Sequence, residues 1–222
     1  MSITSELHPN VIVIVDDHEA VLAGTLSLLE KEYPETEFLT AQDAQSAKAT
    51  IEQGQPDLAV MDLSIPTTAK TPAQTEVGIQ LLRSLMTAYP ELNLVVQSAH
   101  VRSLVRLKPA IEMHRGGFTI SDKSAPMREM LTKVEWALQG LVYTPPEMRV
   151  KLEVKPQWLE VLQLAFQEGL QDKTIAEKMC ISERTVRHYW TRVQDALGVY
   201  PDEGKNMRIQ TEIRARQEGL LD

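Results

Sequence analysis

Three carboxylates, Asp16, Asp17 and Asp62, follow short apolar runs in the first third of the chain, where their spacing could place them together. Asp16 and Asp17 close the run Val11 to Val15, and Asp62 closes Leu58 to Met61. Runs this short, and rich in β-branched residues, read as buried strands. In an open parallel sheet the carboxyl ends of the strands face the crevice where ligands bind. Carboxylates gathered there repel one another unless a cation lies between them. Mg²⁺, a hard ion that takes oxygen ligands and keeps several waters, suits such a cluster. Any one of these aspartates alone reads more readily as a solvated turn residue, so the chemistry rests on all three converging.

The elements that must bring them together alternate. Phe38 to Ala41, Leu94 to Val96 and Phe118 to Ile120 are further strand-like runs. Between the runs, apolar residues recur at helical spacing: Val21, Leu22, Leu26 and Leu29, then Ala44, Ala47 and Ile51, then Ile79, Leu82 and Leu85. A βαβα order implies parallel strands joined by right-handed crossovers, hence a doubly wound five-stranded α/β domain over residues 9–141. A last amphipathic stretch, Met127 to Leu141, precedes Tyr143-Thr144-Pro145-Pro146, and a linker is expected over 142–155. Beyond it the pattern is wholly helical: Trp158 to Gln167, Lys173 to Met179, Glu183 to Leu197 and about Asn206 to Gly219. The second domain, 156–222, is therefore all-α.

In that domain Asp172 and Ser182 are N-cap types standing where two helices would begin, on either side of the turn Cys180-Ile181. Two helices so closely joined form a helix-turn-helix. On the second helix Arg184, Arg187, His188, Thr191 and Arg192 fall on one side, and Val186, Trp190, Val193 and Leu197 on the other. A recognition helix needs this division, since one face anchors it while the other reaches base edges and phosphates of double-stranded DNA. Cys180 reads as a small buried apolar residue, with a redox sensor as the lesser reading because no second cysteine can resolve it.

Composition bounds these readings. The 222 residues carry a net charge of -8, which argues against a chain-wide nucleic-acid coat and confines any DNA contact to a local patch. One cysteine allows no internal disulfide, the first ten residues lack an apolar signal core, and no apolar run is long enough to span a membrane. Cytoplasmic residence is the expectation.

The runs Val13-Ile14-Val15-Asp16-Asp17-His18-Glu19, Met61-Asp62-Leu63-Ser64-Ile65-Pro66 and Ser98-Ala99 resemble the receiver domains of bacterial response regulators of the NarL/FixJ group. The second domain is similar to the LuxR-type effector domain through Glu160-Val161-Leu162, Gly169-Leu170, Ile175-Ala176, Thr185-Val186-Arg187 and Leu197-Gly198-Val199. The resemblance implies a regulator rather than an enzyme. Asp62 would accept a phosphoryl group from a histidine kinase, with Mg²⁺ held by Asp16, Asp17, Asp62 and the backbone carbonyl of Ser64. Ser98 would donate a hydrogen bond to the phosphoryl group. Arg187 and His188 would lie nearest the bases and Arg184, Thr191 and Arg192 nearer the DNA backbone. The last helix, with Ile209, Ile213 and Leu220, resembles the family's dimerisation helix, so the active form would be a homodimer. Tyr189 replaces the family's usual His, and base preference cannot be carried over.

Two departures qualify the resemblance. Gly78 follows Asp62 by sixteen positions (78 - 62), farther than in the family, and the surplus falls in Thr67 to Val77. That loop is expected to be inert, the alternative being a bias on kinase or phosphatase access. The family also ends its fifth strand with a Lys, but Gly117-Phe118-Thr119-Ile120-Ser121-Asp122-Lys123 puts Ser121 there and Lys123 two positions beyond. If the strand continues, Lys123 shares the face and reaches the site; if not, the switch lacks its cation. Phe118 either reports the site's state to the outer face or belongs to the core. Two rival functions follow: a pseudo-receiver transcription factor controlled independently of phosphorylation, and a phosphorelay or protein-interaction module without DNA binding.

Overall fold

The computed structural model describes residues 8–99, 101–145, 148, 155–202 and 204–221. Much of the expected linker, including Pro146, lies outside them. The chain divides into two compact units, the first holding residues up to 101 and 107–148, the second 102–106 and those from 149 on.

The first unit is a parallel sheet with strands β1 (Val11–Val15), β2 (Glu37–Ala41), β3 (Leu58–Asp62), β4 (Asn93–Ser98), β5 (Phe118–Asp122) and β6 (Val142–Tyr143), in the order β2-β1-β3-β4-β5-β6. Helices α1 (Glu19–Glu32), α2 (Ala44–Gly54), α3 (Thr75–Ala88), α4 (Lys108–Met113) and α5 (Met127–Leu138) connect the strands, and a 3₁₀ turn over Val101–Leu107 leads into α4. Alternation along the strands divides the core. Ile12, Ile14, Leu58, Val60 and Val95 pack with Leu29 and Tyr33 of the α1 side and Met130, Val134 and Ala137 of α5. Burying each large aliphatic side chain contributes about 1.5–3 kcal/mol, which is why the apolar stripes of these helices are held against the sheet.

The sheet differs from the five-stranded expectation by β6, which occupies the first residues assigned to the linker. Two residues carry no readable periodicity, and β6 is held by tertiary contacts. Val142 and Tyr143 pair with Phe118 and Thr119, the Tyr143 ring lies 5.1 Å from that of Trp136, and Lys133 Nζ stands 3.7 Å over the Tyr143 ring. α5 correspondingly stops at Leu138, before Gly140 turns at φ 75°.

The second unit consists of α6 (Pro156–Phe166), α7 (Asp172–Lys178), α8 (Glu183–Leu197) and α9 (Met207–Gln217). Pro156 begins α6 at a position where its missing N–H costs nothing. The Ser182 side chain accepts the Thr185 N–H at 3.1 Å and caps α8, a contact worth about 1 kcal/mol. Gly198 at φ 65° ends α8.

Asp172 is not the N-cap of α7. Gln171 holds that position without a side-chain bond, and Asp172, one residue inside the helix, faces the core of the unit. Its carboxylate accepts the Trp190 indole N–H at 3.1 Å and the Arg208 guanidinium at 2.8 Å, while Arg208 stacks 3.5 Å from the Trp190 ring centroid. Phe166 meets Trp190 edge-on at 5.5 Å. These contacts join all four helices, and they recruited a carboxylate that the local pattern assigns to capping. Cys180 is likewise not buried: it is exposed, in the turn between α7 and α8, at φ 54°.

Candidate functional site

Asp16 extends β1 by one residue, donating its backbone N–H to Ala41 at 3.2 Å, and Asp62 ends β3 opposite Gln97 of β4. The chain leaves β1 for β2 on one side of the sheet and returns through β3 on the other, so the crevice lies between β1 and β3. Both carboxylates are almost wholly buried, at 2% and 4% exposure. Asp17, on the loop that follows, is half-buried.

Lys123 reaches this crevice. Its Nζ lies 2.8 Å from Asp16 Oδ2 and 2.8 Å from Asp62 Oδ2, bridging the two buried carboxylates. β5 ends at Asp122, but Lys123 continues the ladder by donating its backbone N–H to the Ser98 carbonyl at 3.3 Å, so the strand geometry carries one residue further. Of the two open positions for this lysine, the near one holds. Ser121, which occupies the family's usual lysine position in a gapless alignment, is buried opposite Gln97.

Burial pushes the Asp62 carboxyl up; the Lys123 ammonium and the Ser64 backbone N–H pull it down, Asp16 adds a further upward push, and the net shift is upward from the ordinary aspartate value. Burial pulls Lys123 down, but the hydrogen bonds and charges of Asp16 and Asp62 outweigh it and leave the ammonium favoured. The Lys123 ammonium thus stands between two buried carboxyl groups.

Ligand atoms of Asp16, Asp17, His18 and Asp62 lie within 4.8 Å of one another. Asp17 Oδ1 is buried and accepts no hydrogen bond, although His18 Nδ1 is 2.9 Å away. A buried carboxylate oxygen without a donor, beside two more carboxylates served by one ammonium, fits a hard cation such as Mg²⁺. Ser64 stands in the loop directly after Asp62, where its N–H already serves Asp62. His18 follows the two aspartates in the acidic motif. Its ring is largely exposed and leans over both carboxylates, with Nδ1 3.3 Å from Asp16 Oδ1.

Ser98 is buried at the end of β4, opposite Asp122. Phe118, at the far end of β5, is fully buried and belongs to the core rather than to an outer reporting face. The Thr67 to Val77 stretch closes on itself: Gln74 donates its N–H to the Ile65 carbonyl at 3.0 Å in an antiparallel bridge, and Thr71 donates its N–H and its hydroxyl to the Thr68 carbonyl at 3.0 and 2.9 Å. Gly78 returns the chain beside Leu63, the residue after Asp62. A Cβ there would stand 1.9 Å from the Leu63 carbonyl oxygen, so only glycine lets α3 approach the residue after Asp62.

In the second unit, Arg184, Arg187, His188 and Arg192 of α8 are exposed together with Thr191, and Val186, Trp190, Val193 and Leu197 are buried. The division read from the helical wheel holds at every one of these positions. On α9, Ile209 and Ile213 are exposed at 55% and 46%, whereas Leu220 beyond it is buried.

Residues 12–135 match the family model for the response regulator receiver domain, and residues 157–202 match that for bacterial regulatory proteins of the luxR family. The DNA-binding transcriptional activator DevR/DosR of Mycobacterium tuberculosis is 27% identical over 201 residues, covering 85% of this chain and 88% of that protein. The transcriptional regulatory protein YdfI of Bacillus subtilis is 25% identical, covering 96% and 98%. In fold, the chain is similar to RcsB of Salmonella enterica serovar Typhimurium bound to promoter rprA, with a TM-score of 0.56, 19% identity, and coverage of 92% and 96%.

Proposed function

The chain belongs to the response regulator receiver family and carries a luxR-family second domain, and on that premise we propose that it is a DNA-binding response regulator whose Asp62 is phosphorylated by a histidine kinase. The observation that carries this reading is the Lys123 ammonium, 2.8 Å from both Asp16 and Asp62. In the transfer, an Asp62 carboxylate oxygen attacks the phosphorus in line, the bond from phosphorus to the kinase histidine nitrogen breaks, and its electron pair stays on that nitrogen. The reaction asks the protein chiefly for position and positive charge. Mg²⁺, when held by Asp16, Asp17, Asp62 and the Ser64 carbonyl, supplies charge against the phosphoryl oxygens. Lys123 moves from carboxylate to phosphoryl oxygen, and the Ser98 hydroxyl donates to another.

The receiver runs from residue 9 through β6 at Tyr143, and the effector domain covers 156–222. Phosphorylation favours a homodimer through the exposed Ile209 and Ile213 face of α9, and the dimer binds two half-sites of duplex DNA. Arg187 and His188 face the base edges, with Arg184, Thr191 and Arg192 toward the backbone. A pseudo-receiver would follow from a lysine out of reach of Asp62; the 2.8 Å contact between Lys123 and Asp62 supports the phosphorylated reading instead. The exposed cationic face of α8 favours DNA over a protein partner.

The test is incubation of the full chain with Mg²⁺ and acetyl phosphate, read by intact mass. One phosphoryl group should appear on the wild type and none on Asp62→Ala; equal incorporation in both would reject Asp62 as the acceptor.

A further inference from the structure

Beside the exposed face of α8 lies a cavity of about 450 Å³ lined by Lys155, Gln157, Trp158, His188, Tyr189 and Arg192. Two of these residues, His188 and Arg192, belong to the cationic face of α8, so the cavity continues that face rather than opening elsewhere. Among the described residues none that lines it is acidic, in a chain whose net charge is -8. Two full cations, a histidine and two aromatic rings therefore share one concave surface.

Lys155 is the N-cap residue of α6, and its side chain makes no capping bond. Its ammonium stands 5.8 Å from the Trp158 ring centroid. A cation at this end of a helix opposes the positive pole of the helix dipole, and the uncapped first turn leaves N–H groups without side-chain acceptors. A residue of the opposite charge, or a small polar one, would serve the fold better. An anion in the cavity reverses that balance, because it meets Lys155, Arg192 and the helix pole together. Trp158 and Tyr189 provide apolar walls that suit the sugar next to a phosphate rather than a free, fully hydrated ion.

We propose that this cavity receives a phosphate and its adjoining sugar from the DNA backbone, extending the interface past α8 to Lys155, which the sequence reading assigned to the linker. The proposal rests on the DNA-binding reading above and adds to it a contact outside the recognition helix. A backbone contact positions the domain and carries no base information. Its loss therefore weakens all duplexes alike.

The test measures binding of the full chain to two labelled duplexes: one selected by the wild type from a random library, and one unrelated, each over a series of salt concentrations. Lys155→Ala should weaken both about fivefold at 0.15 M salt and reduce the slope of log affinity against log salt by about 0.9, the value for one phosphate. Lys155→Arg should restore the slope. Lys205→Ala, which removes the same charge from a residue paired with Asp202 away from the cavity, should leave it unchanged. An unchanged slope in Lys155→Ala, or an equal change in Lys205→Ala, would overturn the proposal while leaving the DNA-binding reading standing. A loss confined to the selected duplex would overturn it by making Lys155 a base reader. Failure of the wild type to bind either duplex would overturn both.

Discussion

The Nζ of Lys123 lies 2.8 Å from Asp62 Oδ2, and the same atom lies 2.8 Å from Asp16 Oδ2. One ammonium thus serves two buried carboxylates, and removing it leaves both charges without their counter-cation. Lys123→Ala should slow phosphoryl incorporation from acetyl phosphate on the order of a hundredfold, the scale for deleting one preorganised cationic or hydrogen-bonding partner. Ser121→Ala, at the position where the family's lysine is usual, should leave the rate within about twofold by the same measure, since small buried changes away from the reacting atoms supply little transition-state charge. Time courses by intact mass separate the two.

Gly78 also bears on the position of Asp62, through the residue that follows it. Its missing Cβ would stand 1.9 Å from the Leu63 carbonyl oxygen, a backbone atom that cannot swing aside. Gly78→Ala should destabilise the first unit by about 1–3 kcal/mol, as overpacking does, and displace the loop that follows Asp62. Urea unfolding monitored by circular dichroism reads the first effect, and the incorporation rate reads the second.

In the second unit Asp172 binds both the Trp190 indole and the Arg208 guanidinium. Asp172→Ala strands a buried N–H, because Trp190 is only 3% exposed, and should cost about 1–3 kcal/mol. Asp172→Asn, which keeps an acceptor for the indole but not the charge opposite Arg208, should recover part of the loss. Near-ultraviolet circular dichroism of the tryptophans during thermal unfolding distinguishes the variants.

Burial pushes the Tyr33 phenol up, with Glu135 and Glu32 adding to the shift, to about 12. The protonated phenol is the neutral form, and the folded state holds that proton more tightly than the unfolded chain does. The resulting stability is complete below the unfolded value of about 10 and is lost as pH rises from about 10 to about 12, amounting to about 2 kcal/mol. Urea midpoints measured from pH 9 to pH 11.5 should therefore fall more steeply in the wild type than in Tyr33→Phe. Equal slopes would contradict the assignment.

How far the sequence could be read depended on whether a feature is local or made by tertiary contact. The strands carrying Asp16 and Asp62, and the two faces of α8, are periodic over enough residues to declare themselves, and they place the acidic crevice and the cationic face directly. Lys123 was ambiguous because a single ladder bond beyond β5, from its N–H to the Ser98 carbonyl, decides which way it points. Val142 and Tyr143 join the sheet through Trp136 and Lys133, residues of the preceding helix that a two-residue strand cannot announce. Asp172 looks like a cap because capping is a local rule, yet Trp190 and Arg208 compete for the same carboxylate and win. Cys180 looked apolar by residue type, while the sharp turn at φ 54° turns it outward.

The claim that joins these parts is that the phosphoryl state of Asp62 governs DNA binding by α8. Its most direct test is the affinity of the full chain for a duplex selected from a random library, measured before and after loading with acetyl phosphate and Mg²⁺, in the wild type and in Asp62→Ala. Tighter binding of the loaded wild type, with no response in the variant, is the result expected. Equal affinity of loaded and unloaded wild type, with intact mass showing the phosphoryl group in place, would contradict it.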